Sequence, residues 1–214
     1  MNNSRSAYFF DKLSRTISVI FHPILIPLYG LLIIFMSPTL YNYLPFEVKK
    51  RLILIVLVNN VLVTLSLIPF FVHNNLISSW FMNERKDRSI PLIISTILYG
   101  VTAYLIFRFP VPYFLKSFFF AFAVLSLTAT LINFWWKISL HSIGVGSIIA
   151  LVLILSLRMY TPLLWYLIPS IIAGGLILTA RLQLGLHNPL QVWSGLLTGF
   201  VVFSIILLLF QKLI

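Results

Sequence analysis

Long apolar runs separated by short polar islands make up nearly the whole chain. The runs cover residues 17–36, 51–72, 91–107, 113–133, 139–157, a stretch after Pro162 that ends near Ala180, and 191–210. Each approaches the roughly 20 residues a helix needs to cross a bilayer. The pattern predicts an all-α fold, a polytopic transmembrane helix bundle of six or seven spans, forming a single membrane domain over residues 1–214. Local signals refine it. His22, Pro23 and Pro27 interrupt the first run and predict a kink. Pro91 fits the first turn of the third helix, where a missing N–H costs nothing. Residues 108–112 contain two prolines and turn the chain, and Trp135 and Trp136 suit the membrane interface. Residues 1–16 are polar and basic. No small-residue cleavage pattern follows the first run, which therefore reads as a retained helix rather than a signal peptide.

Composition agrees. The chain is 60% hydrophobic and 9% charged, whereas a soluble domain carries about 25% charged residues. Fifteen basic residues against four acidic ones give a net charge of +11. In a membrane protein such an excess flanks helices, meets anionic head groups or holds an anionic substrate, so the expected partners are membrane lipids and not nucleic acid. Cysteine is absent, which removes disulfides and thiolate chemistry.

Three polar islands carry the candidate chemistry. The first, residues 83–91, supplies Arg85, Lys86 and Arg88; Arg85 and Arg88 share a face if the segment is helical. The second is Lys137-Ile138-Ser139-Leu140-His141-Ser142, and the third runs from Ala180 to Gln191. Two spans separate each island from the next, so all three reach the same membrane face. Arginine forks match phosphate oxygens and stay charged in a partly apolar site. Two histidines permit one to attack phosphorus and the other to protonate the leaving oxygen. A phosphohistidine route needs neither metal nor other cofactor, which suits a chain poor in the carboxylates that magnesium or calcium requires.

The islands resemble the motifs of the type 2 phosphatidic acid phosphatases. Ser139 and His141 sit as in that family's Pro-Ser-Gly-His motif. Arg181, five intervening residues and His187 match the spacing of its Ser-Arg-x5-His-x3-Asp motif, with Gly195 and Gly199 in the helix that follows. The resemblance covers about residues 83–199. It implies that His187 is the nucleophile, His141 the general acid and Arg181 a phosphate ligand. Ser139 would donate to phosphate, with Arg88, Arg85 and Lys137 as further cations around it. Lys137 also reads as a snorkelling anchor after two tryptophans. Family members remove phosphate from lipid phosphates or polyprenyl pyrophosphates, usually at the outer face of the membrane.

The departures are specific. No Arg-Pro dipeptide ends the first motif; Ile138, Leu140 and Ala180 replace a proline, a glycine and a serine. Gln191 stands where an aspartate would orient the nucleophilic histidine. A glutamine carbonyl can accept the imidazole N–H, but it does not stabilise positive charge on the ring. A binding or scaffold protein that keeps the fold without turnover is therefore the principal alternative. A transporter lacks the expected membrane-centre acid, and a prenyltransferase the aspartate-rich metal motifs. Gly144-Val145-Gly146-Ser147 reads as a close-packing segment rather than as a protease nucleophile. His22 and His73 read as interfacial polar residues.

Parity places the N-terminus on the island face. Arg5, Lys12, Arg15, Arg85, Lys86, Arg88, Lys137 and Arg181 lie there; Lys49, Lys50, Arg51, Arg108, Lys116, Arg158 and Lys212 lie opposite. With the five motif cations set aside, the opposite face carries more basic residues, which points to an extracytoplasmic site in a bacterial inner membrane.

Overall fold

The computed structural model describes residues 2–78 and 84–210; Asn83 and Lys212, named above, lie outside them. The described residues are helical, without strands. The helices are α1 (Asn2–Ile20), α2 (Ile26–Met36), α3 (Phe46–Ile55), α4 (Val63–His73), α5 (Ser89–Arg108), α6 (Tyr113–Trp135), α7 (Leu140–Met159), α8 (Leu164–Gln183) and α9 (Pro189–Leu209). Seven helical stretches are long and apolar enough to span a membrane. α1 and α2 share the first (Tyr8–Met36), α3 and α4 the second (Phe46–His73), and the rest follow one helix each. The chain is an integral membrane protein with seven candidate spans.

The break in the first span falls where the prolines are. His22 is extended (φ −61°, ψ 136°) and Pro23 opens a short 3-10 turn before α2, as expected for a residue preceding proline. Residues 2–16, polar and basic in the sequence, form the start of α1. This helix continues because it packs along α8: Ile17 and Phe21 meet a cluster of Val145, Ile177, Leu178 and Val192. Gln183 also donates to Asp11 at 3.3 Å. The seventh span begins at Pro189, two residues before Gln191, because Asn188 caps it.

Around the bundle, Val58, Leu62, Ile97, Val101, Ile168, Ile172, Leu176, Leu197, Val201 and Ile205 are exposed. Apolar side chains facing outward on these spans need lipid as their surroundings. Inside, polar clasps join neighbouring helices. Asn59, in a π-helical stretch (Val56–Leu62) between α3 and α4, donates to the Leu98 carbonyl at 2.8 Å and to Thr102 at 2.7 Å. Thr96 of α5 meets Ser126 and Thr130 of α6 at 2.9 and 2.8 Å.

The contact between α7 and α9 positions the site. A β-carbon on Gly146 would collide with the Leu196 carbonyl oxygen, and one on Gly199 with that of Ile143. At Gly195 it would lie 2.7 Å from the Ser139 carbonyl oxygen. Small residues let the two backbones touch, so the starts of both helices, where the second and third islands lie, are held together. The Ser139 N–H donates to the Gln191 carbonyl across this contact at 3.3 Å.

Candidate functional site

One cavity of about 480 Å³ opens between α1, α2, α4, α5, α6 and α7, and its polar end gathers residues from all three islands. Arg88, His141, Arg181 and His187 line it, as the shared-face argument expects. Arg88 is the N-cap residue of α5, His141 lies in the first turn of α7, and Arg181 in the last turn of α8. His187 sits in the short turn between α8 and α9, which Gly185 permits by adopting φ +62°.

The start of α9 fixes the His187 ring. The Asn188 side chain accepts the Gln191 N–H at 2.9 Å, and the Gln191 side-chain oxygen accepts the Asn188 N–H at 3.3 Å. That is a capping box. The same oxygen lies 3.0 Å from Nδ1 of His187. Nδ1 therefore carries the proton, and Nε2 presents a lone pair. Burial, and then the charge of Arg88, push the His187 pKa down to about 4; the Gln191 hydrogen bond opposes this, while Arg181 and Lys137 add to it. The ring is neutral at pH 7 and nucleophilic at Nε2.

His141 is held differently. Its Nε2 lies 3.0 Å from the Ser18 carbonyl, an oxygen in the last turn of α1 that has lost its helical partner, because the His22 N–H turns to Val19. A carbonyl only accepts, so Nε2 carries the proton and Nδ1 is left to accept or relay another. Arg181 donates through Nη1 to the Ser18 hydroxyl at 3.3 Å. Its buried Nε–H has no acceptor among the described residues. Such an orphan donor beside other cations suits an anion.

Other residues named from the sequence stand elsewhere. Arg85 donates to the carbonyls of Asn133, at 3.0 Å, and Phe134, closing the C-terminal end of α6. Ser139 is fully buried as the α7 N-cap, accepting the Ser142 N–H at 3.4 Å and the Ser142 hydroxyl at 2.9 Å. Lys137 does not line the cavity. Partial burial and the charges of Arg88 and Arg181 lower its pKa, with Glu84 opposing, so it contributes field rather than contact. Asp87, within the first island, accepts from the backbone and hydroxyl of Ser78.

Three polar residues of the lining come from α1 and its break: Arg15, Ser18 and His22. The signal for His22 lay in the sequence, a histidine beside proline within an apolar run. Ionisable residues inside a span are site candidates by default. Among the described residues no group of three or more histidine and acidic side chains is placed to hold a metal ion. The polar end is built from cations and rings, a donor set for an oxyanion.

Away from that end the cavity is greasy. Leu92 and Tyr99 of α5, Phe122 and Leu125 of α6, Ile68 of α4 and Ile143 of α7 line it. Arg88 and Tyr99 are both in the lining, and at a rise of 1.5 Å per residue they lie about 16 Å apart along the helix. The cavity thus joins an anion-sized polar end to an apolar bore reaching toward mid-membrane. No family model, curated protein or solved structure matches this chain, so its geometry carries the functional reading.

Proposed function

We propose that the protein is a membrane lipid phosphohydrolase acting through a phosphohistidine intermediate. Its substrate would be a phosphomonoester or pyrophosphate of the phosphatidate, phosphatidylglycerophosphate or polyprenyl pyrophosphate class. One observation supports this best: a single cavity joins a neutral histidine with a bare Nε2 and two buried arginines to an apolar bore. The likeness of residues 83–199 to the type 2 phosphatidic acid phosphatases supports the same chemistry.

In the proposed reaction Arg88 and Arg181 take phosphoryl oxygens, and the bore takes the lipid chain. His187 Nε2 attacks phosphorus. The bond from phosphorus to the lipid oxygen breaks, and its electron pair stays on that oxygen. His141, protonated on both nitrogens and steadied by the Ser18 carbonyl at Nε2, passes its Nδ1 proton to the leaving oxygen. Water then attacks the phosphohistidine while His141 Nδ1 takes a proton from it, and the N–P pair returns to His187 as phosphate leaves. General acid–base assistance of this kind is worth about 10²–10⁴ in rate. The proposed working face is extracytoplasmic, in a bacterial inner membrane, in keeping with the larger number of basic residues at the other end once the five motif cations are set aside.

A second reading keeps the anion site without turnover. It rests on Gln191, whose neutral carbonyl sets the His187 tautomer but does not stabilise a charged ring. Phosphate release from detergent-solubilised phosphatidate, phosphatidylglycerophosphate and undecaprenyl pyrophosphate, with EDTA present, separates the two. Release that vanishes in His187→Ala supports the hydrolase. Silence from the native chain with release from Gln191→Asp supports the binding protein. Silence from both overturns the phosphatase reading for these lipids.

A further inference from the structure

His22 has no place in the mechanism above, yet its ring lines the same cavity as His141, Arg181 and His187. The His22 and His141 rings stand edge to face, 5.8 Å between centroids. His22 occupies the break between α1 and α2, where its Nδ1 accepts the Ile24 N–H at 3.3 Å. A nitrogen that receives an N–H carries none, so the proton of this ring is on Nε2. No acceptor among the described residues takes that Nε2–H, and His22 is an exposed residue in the cavity lining. It is an unspent donor at the edge of an anion-shaped cavity.

We propose that His22 is a third histidine of the site, a fixed N–H donor that holds a phosphoryl oxygen through Nε2. This rests on the anion-site part of the proposed function. The Ile24 N–H blocks Nδ1, so the ring donates but does not shuttle a proton. That separates it from His141, whose carbonyl partner leaves Nδ1 open. Two neighbouring rings thus differ in role because one faces a backbone N–H and the other a backbone C=O. A neutral donor also adds little to the repulsion within a site already crowded by Arg15, Arg88 and Arg181. The fold supports the assignment: the His141 bond to Ser18 and the Arg181 bond to the Ser18 hydroxyl hold the end of α1, and with it His22, over the cavity.

The test is binding of orthovanadate and of dodecyl phosphate in detergent, by calorimetry, to the native chain, His22→Asn and His22→Gln. Asparagine keeps an acceptor for the Ile24 N–H and removes the distal donor; glutamine keeps a distal N–H. A lost hydrogen bond to a charged acceptor weakens binding by about 10- to 100-fold. The expected result is that loss for both probes in His22→Asn, a smaller loss in His22→Gln, and the same loss at pH 6 and pH 8. Native-like binding by His22→Asn would overturn the assignment. So would a loss confined to dodecyl phosphate, which would make His22 a chain contact. A loss that deepens at pH 6 would overturn it too, because the ring would then titrate alongside His141 and His187 among Arg15, Arg88 and Arg181. Should His22→Asn fail to fold, His22→Gln decides: near-native affinity supports the donor and a full loss overturns it. Vanadate binding without phosphate release by the native chain would remove the hydrolase and leave this role standing. Absence of vanadate binding would overturn both.

Discussion

The side-chain oxygen of Gln191 lies 3.0 Å from Nδ1 of His187, and the same oxygen accepts the Asn188 N–H at 3.3 Å. A backbone N–H can only donate, so it fixes which end of the Gln191 amide is oxygen. The oxygen in turn fixes the proton of His187 on Nδ1. A helix cap thereby sets the tautomer of His187, the proposed nucleophile. Gln191, in the first turn of α9, orients His187 with one atom, which is how a neutral residue would serve at a position where the resembling family has an acid.

Changing Gln191 should move the two functions apart. Gln191→Leu removes the acceptor and frees the ring to protonate either nitrogen; kcat should fall by at least about 100-fold, in the range seen when orienting partners of a histidine are lost. Gln191→Asp keeps the acceptor and adds negative charge, which favours the protonated ring. His187 is a base whose pKa stands at about 4 in the native site, so native activity should persist down to about that pH and fall below it. In Gln191→Asp the acid limb should move upward, because the nucleophile is lost at a higher pH. A pH–rate profile of both proteins checks the direction; an unmoved limb would mean that His187 is not the group being titrated.

Arg85 and Arg181 make a second contrast. Arg85 spends its guanidinium on the last carbonyls of α6, whereas Arg181 keeps a buried Nε–H with no acceptor among the described residues. Arg85→Ala should lower the thermal midpoint in detergent, by the order of 1–2 kcal/mol of stability for a charged donor on helix-end carbonyls. Its vanadate affinity should stay near native. Arg181→Ala should lose vanadate affinity by more than about tenfold. Equal effects of the two on affinity would return Arg85 to the phosphate site.

How far these roles could be read from the sequence depends on what sets each one. Span positions follow from runs of apolar residues, the α1–α2 break from Pro23, and close packing at residues 144–147 from their small side chains, though not that α9 is the partner. All of these are local signals. The shared face of Arg88, His141, Arg181 and His187 follows from counting spans. Arg85 and Ser139 were beyond such reasoning, because spacing does not say whether a donor meets a ligand or a nearer carbonyl or hydroxyl. His22 carried a local signal, a histidine beside Pro23 in an apolar run, but its place beside His141 and Arg181 comes from α1 lying against α7 and α8, a tertiary fact. The continuation of α1 through residues 2–16 escaped for the same reason: the helix is steadied by α8, not by its own composition.

Glycines test the α7–α9 contact against their own controls. Alanine at Gly199 would drive a β-carbon into the Ile143 backbone, which has no flexible end to move aside. Overpacking costs about 1–3 kcal/mol, and here it also separates the helix starts that hold His187 and His141. Gly199→Ala should therefore lower both the thermal midpoint and the phosphate-release rate. Gly100 and Gly175 have nothing within 4 Å of the same added atom. Alanine there should be neutral or stabilising by up to about 1 kcal/mol, the helix-propensity difference. A destabilised Gly175→Ala with an untouched Gly199→Ala would contradict the packing described above.

The apolar bore makes a prediction about chain length. Tyr99 and Phe122 line its inner part and Leu125 its wall. Leu125 is 4% exposed overall, so a larger side chain there has only the cavity to expand into. Leu125→Trp should shorten the bore without touching the polar end some 16 Å above Tyr99. If the lipid chain lies in the bore, the variant should prefer short-chain phosphates. Hydrolysis of a hexyl phosphate should stay near native while that of a hexadecyl phosphate falls about tenfold, since a few displaced methylenes cost about 0.8 kcal/mol each. Vanadate affinity, which needs only the polar end, should not change. A uniform loss across chain lengths would mean that the substitution disturbs the helices rather than the bore. No loss at any length would put the lipid chain outside the cavity, against the bilayer face of the bundle, and leave the polar end to act on a head group reaching in from the side.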